Sequence, residues 1–443
     1  MRIFRGLFRR LSTTAKMSSQ QKSNGVSSQV LTSSSSSDQY KSWTKEQLIS
    51  KLQALESHNS ESTTSTPTVA KGKKQNKQKK PFDFSRFSTR HIALRFSYLG
   101  WSYNGLAIQK EPTPLPTVEQ VLIEALYKCR MIPSLNPGDF KFSRCGRTDK
   151  GVSAMNQVVS LLVRSNLTTE EQVDPQNDER ELDYVNILNS VLPSDIKIHS
   201  FCLHLPEGFD ARFSCTSRYY KYIFNKKGLD IAMMREAASY YLGENDFRNF
   251  CKLDGSKQVT NYQRTIYKAE ISQLNEDMFC FELEGSAFLW HQVRNMIAVL
   301  FLVGQRLEAP EIVKELTDPE VYSTAPIFEM GNDKPLVLYD CKFDNDQLVW
   351  KKPVQNSKNE KSISSVYSNW LENSVKQQVS KFMFEFFQNE EYDQDITDRR
   401  VRVNLGDGRG RIINEYVPLS KRDRLEDFRI VNERWLKKKK AEK

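Results

Sequence analysis

None of the seven cysteines, Cys129, Cys145, Cys202, Cys215, Cys251, Cys280 and Cys341, belongs to a C-x-x-C pair. The pattern therefore offers neither a zinc knuckle nor a thioredoxin-like redox motif, and an odd, scattered set fits a reducing compartment. The five histidines show no ligand spacing either, so neither a metal nor a cofactor is expected. Long apolar runs are missing too. The longest, Met296 to Val303, is far short of a bilayer and reads as a buried helix. Apolar residues make up only 38% and the mean hydropathy is −0.60, which predicts that part of the chain stays disordered. The 443 residues still allow two or three domains and an ample core. Sixty-five basic against 55 acidic residues give a net charge of +10, a balance that suits a polyanionic partner better than a membrane surface.

No acid occurs before Asp38. In the first 20 residues Arg2, Arg5, Arg9 and Arg10 interleave with Ile3, Phe4, Leu7, Phe8 and Leu11. This is the pattern of a mitochondrial transit peptide, with a disordered basic leader as the other reading. A serine run follows. Residues 40–56 then place Trp43, Leu48, Leu52 and Leu55 on one stripe of an amphipathic helix capped by Thr44. Residues 71–80 form a basic arm suited to nuclear import or RNA backbone contact. Localisation is thus expected to be nuclear and cytoplasmic, with a mitochondrial form.

From Ser88 onward strand and helix patterns mix, which indicates an α+β chain. Helices are expected at 118–126, 182–192, 231–241 and 288–302, and strands at 92–98, 196–203, 219–225, 266–273 and 279–285. Residues 168–183, acidic and polar, read as a surface insertion. Beyond Phe343 a helix is expected over 365–387. The glycines of 405–411 read as a flexible turn, and Lys437 to Lys440 as basic surface. These patterns divide the chain into a leader (1–87), two halves of a globular domain (88–205 and 206–345) and an extension (346–443).

The most informative stretch is SRCGRTDKGVSAMNQVVSL, Ser143 to Leu161. A strand leads into a tight polar loop holding one carboxylate, Asp149, between Gly146 and Gly151. Arg144, Arg147 and Lys150 surround it, and such cations favour the anionic form that a nucleophile requires. The glycines permit a sharp bend and close approach of a bulky substrate. A charged surface turn would look the same in composition.

The literal string decides between them. It resembles the G-R-T-D-x-G-V motif of the TruA-type tRNA pseudouridine synthases, and four further stretches resemble that family in order. They are LRFSYLGWSYNGLAIQ (94–109) with the helix TVEQVLIEAL (117–126), FDARFSCTSRYYKYIF (209–224), LGENDF (242–247, a helix-end motif), and GSAFLWHQVRNMIAVLFLVG (285–304). Bacterial members carry aspartate and tryptophan where this chain has Leu99 and Leu106. The turn Tyr98-Leu99-Gly100-Trp101 with Ala107 and Gln109 is more similar to the eukaryotic branch acting at tRNA positions 38 and 39.

The resemblance implies two ferredoxin-like (RNP-like) halves sharing a mixed, mainly antiparallel sheet with a central catalytic cleft, and a homodimer as candidate assembly. It implies tRNA as partner and uridine-to-pseudouridine isomerisation as activity. It assigns Asp149 as nucleophile, Arg294 as its partner, Tyr220 as the ring stacked on the uracil, and Arg147 as the group displacing the nucleotide. Lys150, Arg144 and Arg212 are candidates for RNA contact. His291, three residues before Arg294, can reach the same site, although the preferred reading of it is a packed or surface histidine. Breaking one carbon–nitrogen bond and making one carbon–carbon bond needs no net oxidation, in keeping with the missing cofactor motifs. Attack on ring carbon 6, attack on the ribose, and a glycal route all stay open. Two other functions also stay open: the same reaction at other RNA sites, and a non-catalytic tRNA-binding protein, which would not need the nucleophile, arginine and tyrosine intact.

Overall fold

The computed structural model describes residues 82–344, 348–387 and 400–441. The leader up to residue 81, with its amphipathic helix over 40–56 and the basic arm over 71–80, lies outside the described residues.

Strand β1 (Thr89–Tyr98) carries apolar side chains at nearly every second position and is buried along its length. It lies between β3 (Ser153–Arg164) and β4 (Ile196–Cys202), antiparallel to both. Helix α1 (Val118–Lys128) starts where the Thr117 hydroxyl accepts the Gln120 N–H at 3.3 Å, satisfying one of the free amides of its first turn. The short α2 (Tyr184–Asn189) is capped in the same way by Asp183. A two-residue strand, β2 (Ser143–Arg144), pairs with β3 opposite Ser160 and Val159.

The second half repeats this plan. Strands β5 (Ser217–Asn225), β7 (Gln263–Gln273), β8 (Met278–Gly285) and β9 (Leu336–Lys342) accompany helices α3 (Ile231–Ser239) and α4 (Gln292–Gly304). A short edge strand, β6 (Gly243–Asp246), and a short helix, α5 (Ile312–Thr317), complete it. The sheet runs β4-β1-β3-β9-β5-β8-β7-β6, with β2 also on β3. Taken in chain order, each half arranges its four main strands as fourth, first, third, second. The halves meet where β3 pairs in parallel with β9 at Ser153 and Ala154, directly after the Asp149 loop. Every other strand pair is antiparallel.

Two apolar clusters form the core. One surrounds Phe96, Leu122 and Val158, the other Tyr222, Phe281 and Phe301, and Tyr220 packs against both. Helix α4 is buried on nearly every side, as a helix apolar all round must be.

Several expectations need correction. The 182–192 helix is confined to Tyr184–Asn189. The expected helix from 288 begins only at Gln292, because His291 has a left-handed φ of 66°. LGENDF is not a helix end: α3 stops at Ser239, and Gly243–Asp246 gives its backbone groups to the β7 ladder. The 168–183 insertion is exposed at Val173 but not at Asp178. Asp178 accepts from Arg90 (3.0 Å), His204 (2.9 Å) and Lys351 (2.6 Å); burial pushes its carboxyl up, and these hydrogen bonds outweigh it and hold the carboxyl below the usual range. The 365–387 helix starts earlier, as α6 (Ser357–Phe387). The glycines of 405–411 join a small hairpin, β10 (Val401–Val403) and β11 (Arg411–Ile413). That hairpin is tied down: the Leu405 carbonyl accepts the Asn332 N–H at 2.7 Å and the Tyr222 hydroxyl at 3.3 Å. Leu419 and Val403 join the second core. Helix α7 (Phe428–Ala441) closes the described chain. Among the described residues no helix is long and apolar enough to cross a membrane.

Candidate active site

The loop between β2 and β3 is held at almost every residue. The Cys145 N–H donates to Val158 O at 2.8 Å, and the Gln157 side chain bonds both backbone groups of Gly146. Thr148, buried, shares a 2.7 Å hydrogen bond with the Tyr98 hydroxyl from β1. The Thr148 carbonyl accepts Leu106 N–H, and Gly151 N–H reaches Tyr103 O. Gly151 has φ of +80°, and a Cβ there would sit 2.8 Å from the Asp333 carboxyl carbon, so only glycine fits without strain. At Gly146 a Cβ would meet nothing within 4 Å, so the bend does not require glycine there.

Asp149 is thereby presented to the N-terminal turn of α4. Its Oδ2 lies 3.7 Å from a terminal nitrogen of Arg294 and 3.5 Å from Nε2 of His291. Arg294 is aimed by its Nε–H, which donates to Gly331 O at 2.8 Å, while Gly331 N–H returns a bond to Arg294 O. The left-handed turn at His291 brings its ring beside the carboxylate. Burial lowers the His291 pKa first of all; Asp149 pulls it up, whereas Arg294 and Lys252 push it further down. The net direction favours a neutral imidazole near pH 7, so its contact with Asp149 is a polar contact to a neutral ring and not an ion pair.

Tyr220, on β5, closes one wall. Its ring meets Phe288 edge-on at 5.1 Å, and burial raises its hydroxyl pKa strongly, so it stays protonated. Around these groups opens a cleft of about 1680 Å³ in which basic side chains outnumber acidic ones. Arg147 and Lys150 are exposed on its lining and form no ion pair among the described residues. Arg212 is also exposed there, stacked over Phe213. Arg144 lines the cleft too, but it is already engaged: it pairs at 2.8 Å with Glu119, a buried carboxylate on α1. Burial pushes the Glu119 carboxyl up against the pull of Arg144.

The structure therefore brings Asp149, Arg294 and Tyr220 into one cleft with Arg144, Arg147, Lys150 and Arg212 on its lining, Arg144 being paired with Glu119 of α1. The position of His291 near Arg294 is readable, but the left-handed backbone that sets its ring has no local signature. One residue of the site, Arg218, has almost no signal in the sequence. Its guanidinium donates to four carbonyls, those of Cys145, Arg212, Cys215 and Ser286, at 2.9–3.1 Å. It ties the catalytic loop to β5 and β8, and its one sequence signal was a cation two residues before Tyr220.

Chemically, the arrangement sets a carboxylate opposite a fixed guanidinium and a protonated phenol, in a cationic cleft wide enough for an extruded base. A family model described as tRNA pseudouridine synthase matches residues 237–344, a span containing His291 and Arg294 but not Asp149. The chain is 51% identical over 413 residues to the tRNA pseudouridine(38/39) synthase of Saccharomyces cerevisiae, covering 90% of this chain and 92% of that one. It is 42% identical over 318 residues to the Homo sapiens protein of that name, covering 68% and 64%. To tRNA pseudouridine synthase A of Methanosarcina mazei it is 31% identical over 231 residues, covering 52% and 77%.

Proposed function

The chain belongs to the tRNA pseudouridine synthase family, and we propose that it isomerises uridine to pseudouridine at positions 38 and 39 of tRNA with Asp149 as nucleophile. The observation carrying this reading is Asp149 in a loop tethered on both sides of it, 3.7 Å from Arg294 in the lining of a basic cleft. In the reaction the bond from ribose carbon 1′ to ring nitrogen 1 breaks and a bond from the same carbon to ring carbon 5 forms. The carboxylate of Asp149, held in place by Arg294, bonds transiently to the extruded nucleotide and is released once carbon 1′ has joined carbon 5; the proton of carbon 5 leaves and nitrogen 1 takes one up, so the product is an isomer of the substrate. Tyr220 stacks on the freed uracil with a flat aromatic face. Arg147 takes the place of the base or grips the flipped phosphate, a task suited to a planar guanidinium. Lys150 and Arg212 contact backbone phosphates. Arg144, already engaged by Glu119, holds the loop.

The same reading covers architecture. The repeated strand order of the two halves is that of ferredoxin-like units, which supports two such halves flanking one cleft. A homodimer is part of the proposal, resting on the family. So is nuclear and cytoplasmic localisation with a mitochondrial form, resting on the basic arm and the arginine-rich leader. Uridines at the foot of the anticodon stem adjoin a loop, so extruding them costs less than in mid-helix. The test is site-resolved mapping of unmodified tRNA after incubation with purified protein, beside Asp149→Asn. Product at 38 or 39, absent from Asp149→Asn even in a single turnover while tRNA affinity stays within several-fold, is expected. Conversion by Asp149→Asn overturns the nucleophile, and product only elsewhere overturns the site.

A further inference from the structure

Helix α7 is seated on a loop that is itself part of the cleft. Residues Cys251 to Leu253, Lys257, Val259 and Tyr262 line the cleft, and the same loop receives the helix. Gly255 approaches α7 so closely that a Cβ would lie 2.7 Å from Val431 O and 2.9 Å from the Trp435 Cβ. The Gln258 side chain donates to Asn432 O at 3.1 Å, and the Asn432 amide donates back to Val259 O at 3.1 Å. Phe428 packs on Tyr262 with ring centroids 4.9 Å apart. This is a built joint, made by the first two turns and Trp435.

Beyond Trp435 the helix changes character. Lys437 to Lys440 are exposed, and Glu433 is the one acid within the helix, paired with Lys437 at 2.7 Å. A helix C-terminus favours cations through its dipole, which accounts for one or two lysines. Lys437 and Lys440 stand three residues apart, a spacing at which like charges repel, Lys439 lies over the Trp435 ring at 4.9 Å, and a polyanion lowers the cost of gathering these cations at one helix end. The loop that seats the helix adds Lys257 and Lys252 to the cleft lining beside one acid, Asp254, with Lys252 over Trp290 at 4.6 Å.

We propose that α7 is a backbone clamp for the tRNA substrate, extending the cleft's cationic lining so that the RNA outside the reacting nucleotide is held by its phosphates. The proposal rests on the tRNA reading above. Its energetics are those of counterion release: each phosphate contact adds affinity and adds about one to the slope of log affinity against log salt. The clamp contributes to grip and not to chemistry, since none of its residues touches Asp149, Arg294 or Tyr220.

The experiment uses the full chain with Lys437, Lys438, Lys439 and Lys440 all changed to Gln, and separately all changed to Arg. Affinity for unmodified tRNA is measured from about 50 to 200 mM salt, and turnover at saturating tRNA. The Gln variant is expected to bind about tenfold more weakly at the low-salt end, with a slope shallower by about two and unchanged kcat. The Arg variant should bind as the parent does. Parental affinity and slope in the Gln variant overturn the clamp, as does equal loss in the Arg variant. Failure of the activity itself is read separately: a parent that binds tRNA without forming pseudouridine sinks the proposed reaction while the lysine dependence still decides the clamp.

Discussion

Four backbone carbonyls from three separate stretches of chain converge on one guanidinium, Arg218, and no carboxylate pairs with it among the described residues. Charged donors to carbonyls are strong, and orphaned buried acceptors are expensive. Arg218→Ala is therefore expected to lose on the order of 3 kcal/mol of stability, read as a lower urea midpoint, and to lower kcat by loosening the Cys145–Val152 loop. An unchanged midpoint would show that water replaces the guanidinium. Arg147 makes the opposite case, exposed and unpaired among the described residues. Arg147→Lys should keep tRNA affinity and stability yet lose most of its turnover, because an ammonium does not intercalate as a planar fork does. Full turnover at saturating tRNA would mean that charge alone mattered. Asp149, Arg147, Tyr220 and Arg294 were legible because they stand in continuous strings. Arg218 was not, since its partners lie up to 73 residues away in the chain.

The Asp149 loop owes its shape to its neighbours as much as to its own residues. Tyr98 on β1, Gln157 on β3 and Tyr103 all bond to it. Gly151→Ala forces a Cβ onto Asp333 at φ +80°, a strain of about 1–3 kcal/mol. The expected result is a lower melting temperature together with a lower kcat and little change in tRNA affinity; a variant with parental kcat would show that the loop relaxes freely. Element identity was readable where periodicity was long, as in β1 and α1. It failed at α4, where the apolar pattern runs back to Phe288 but the helix waits until Gln292. The left-handed turn at His291 is what turns that ring toward Asp149.

Three histidines spread over the molecule, His91, His199 and His291, have their pKa lowered, in each case mainly by burial. The unfolded chain takes up these protons near the ordinary value of 6.5, while the folded chain waits until lower pH. Between those values the unfolded state binds more protons, so each histidine withdraws stability as pH falls below about 6.5 and is neutral in effect above it. Glu119 and Asp340, whose carboxyls burial pushes up, act in the opposite sense, so the test is a difference between variants. His199→Gln should flatten the fall in urea midpoint between pH 7 and 5.5 relative to the parent; an equal or steeper fall would contradict it. At this largest scale the chain's letters alone established the α+β class, the polyanionic partner, the family and four of the groups in the cleft, because charge, periodicity and short literal strings are local properties. Folding alone decided that Arg144 faces Glu119, that His291 stands beside the nucleophile, that Arg218 ties the loop, and that the glycine-rich hairpin and α7 join the second half. Each of these depends on contacts between residues far apart in sequence, where pairing is chosen by burial and hydrogen-bond satisfaction that no single stretch contains.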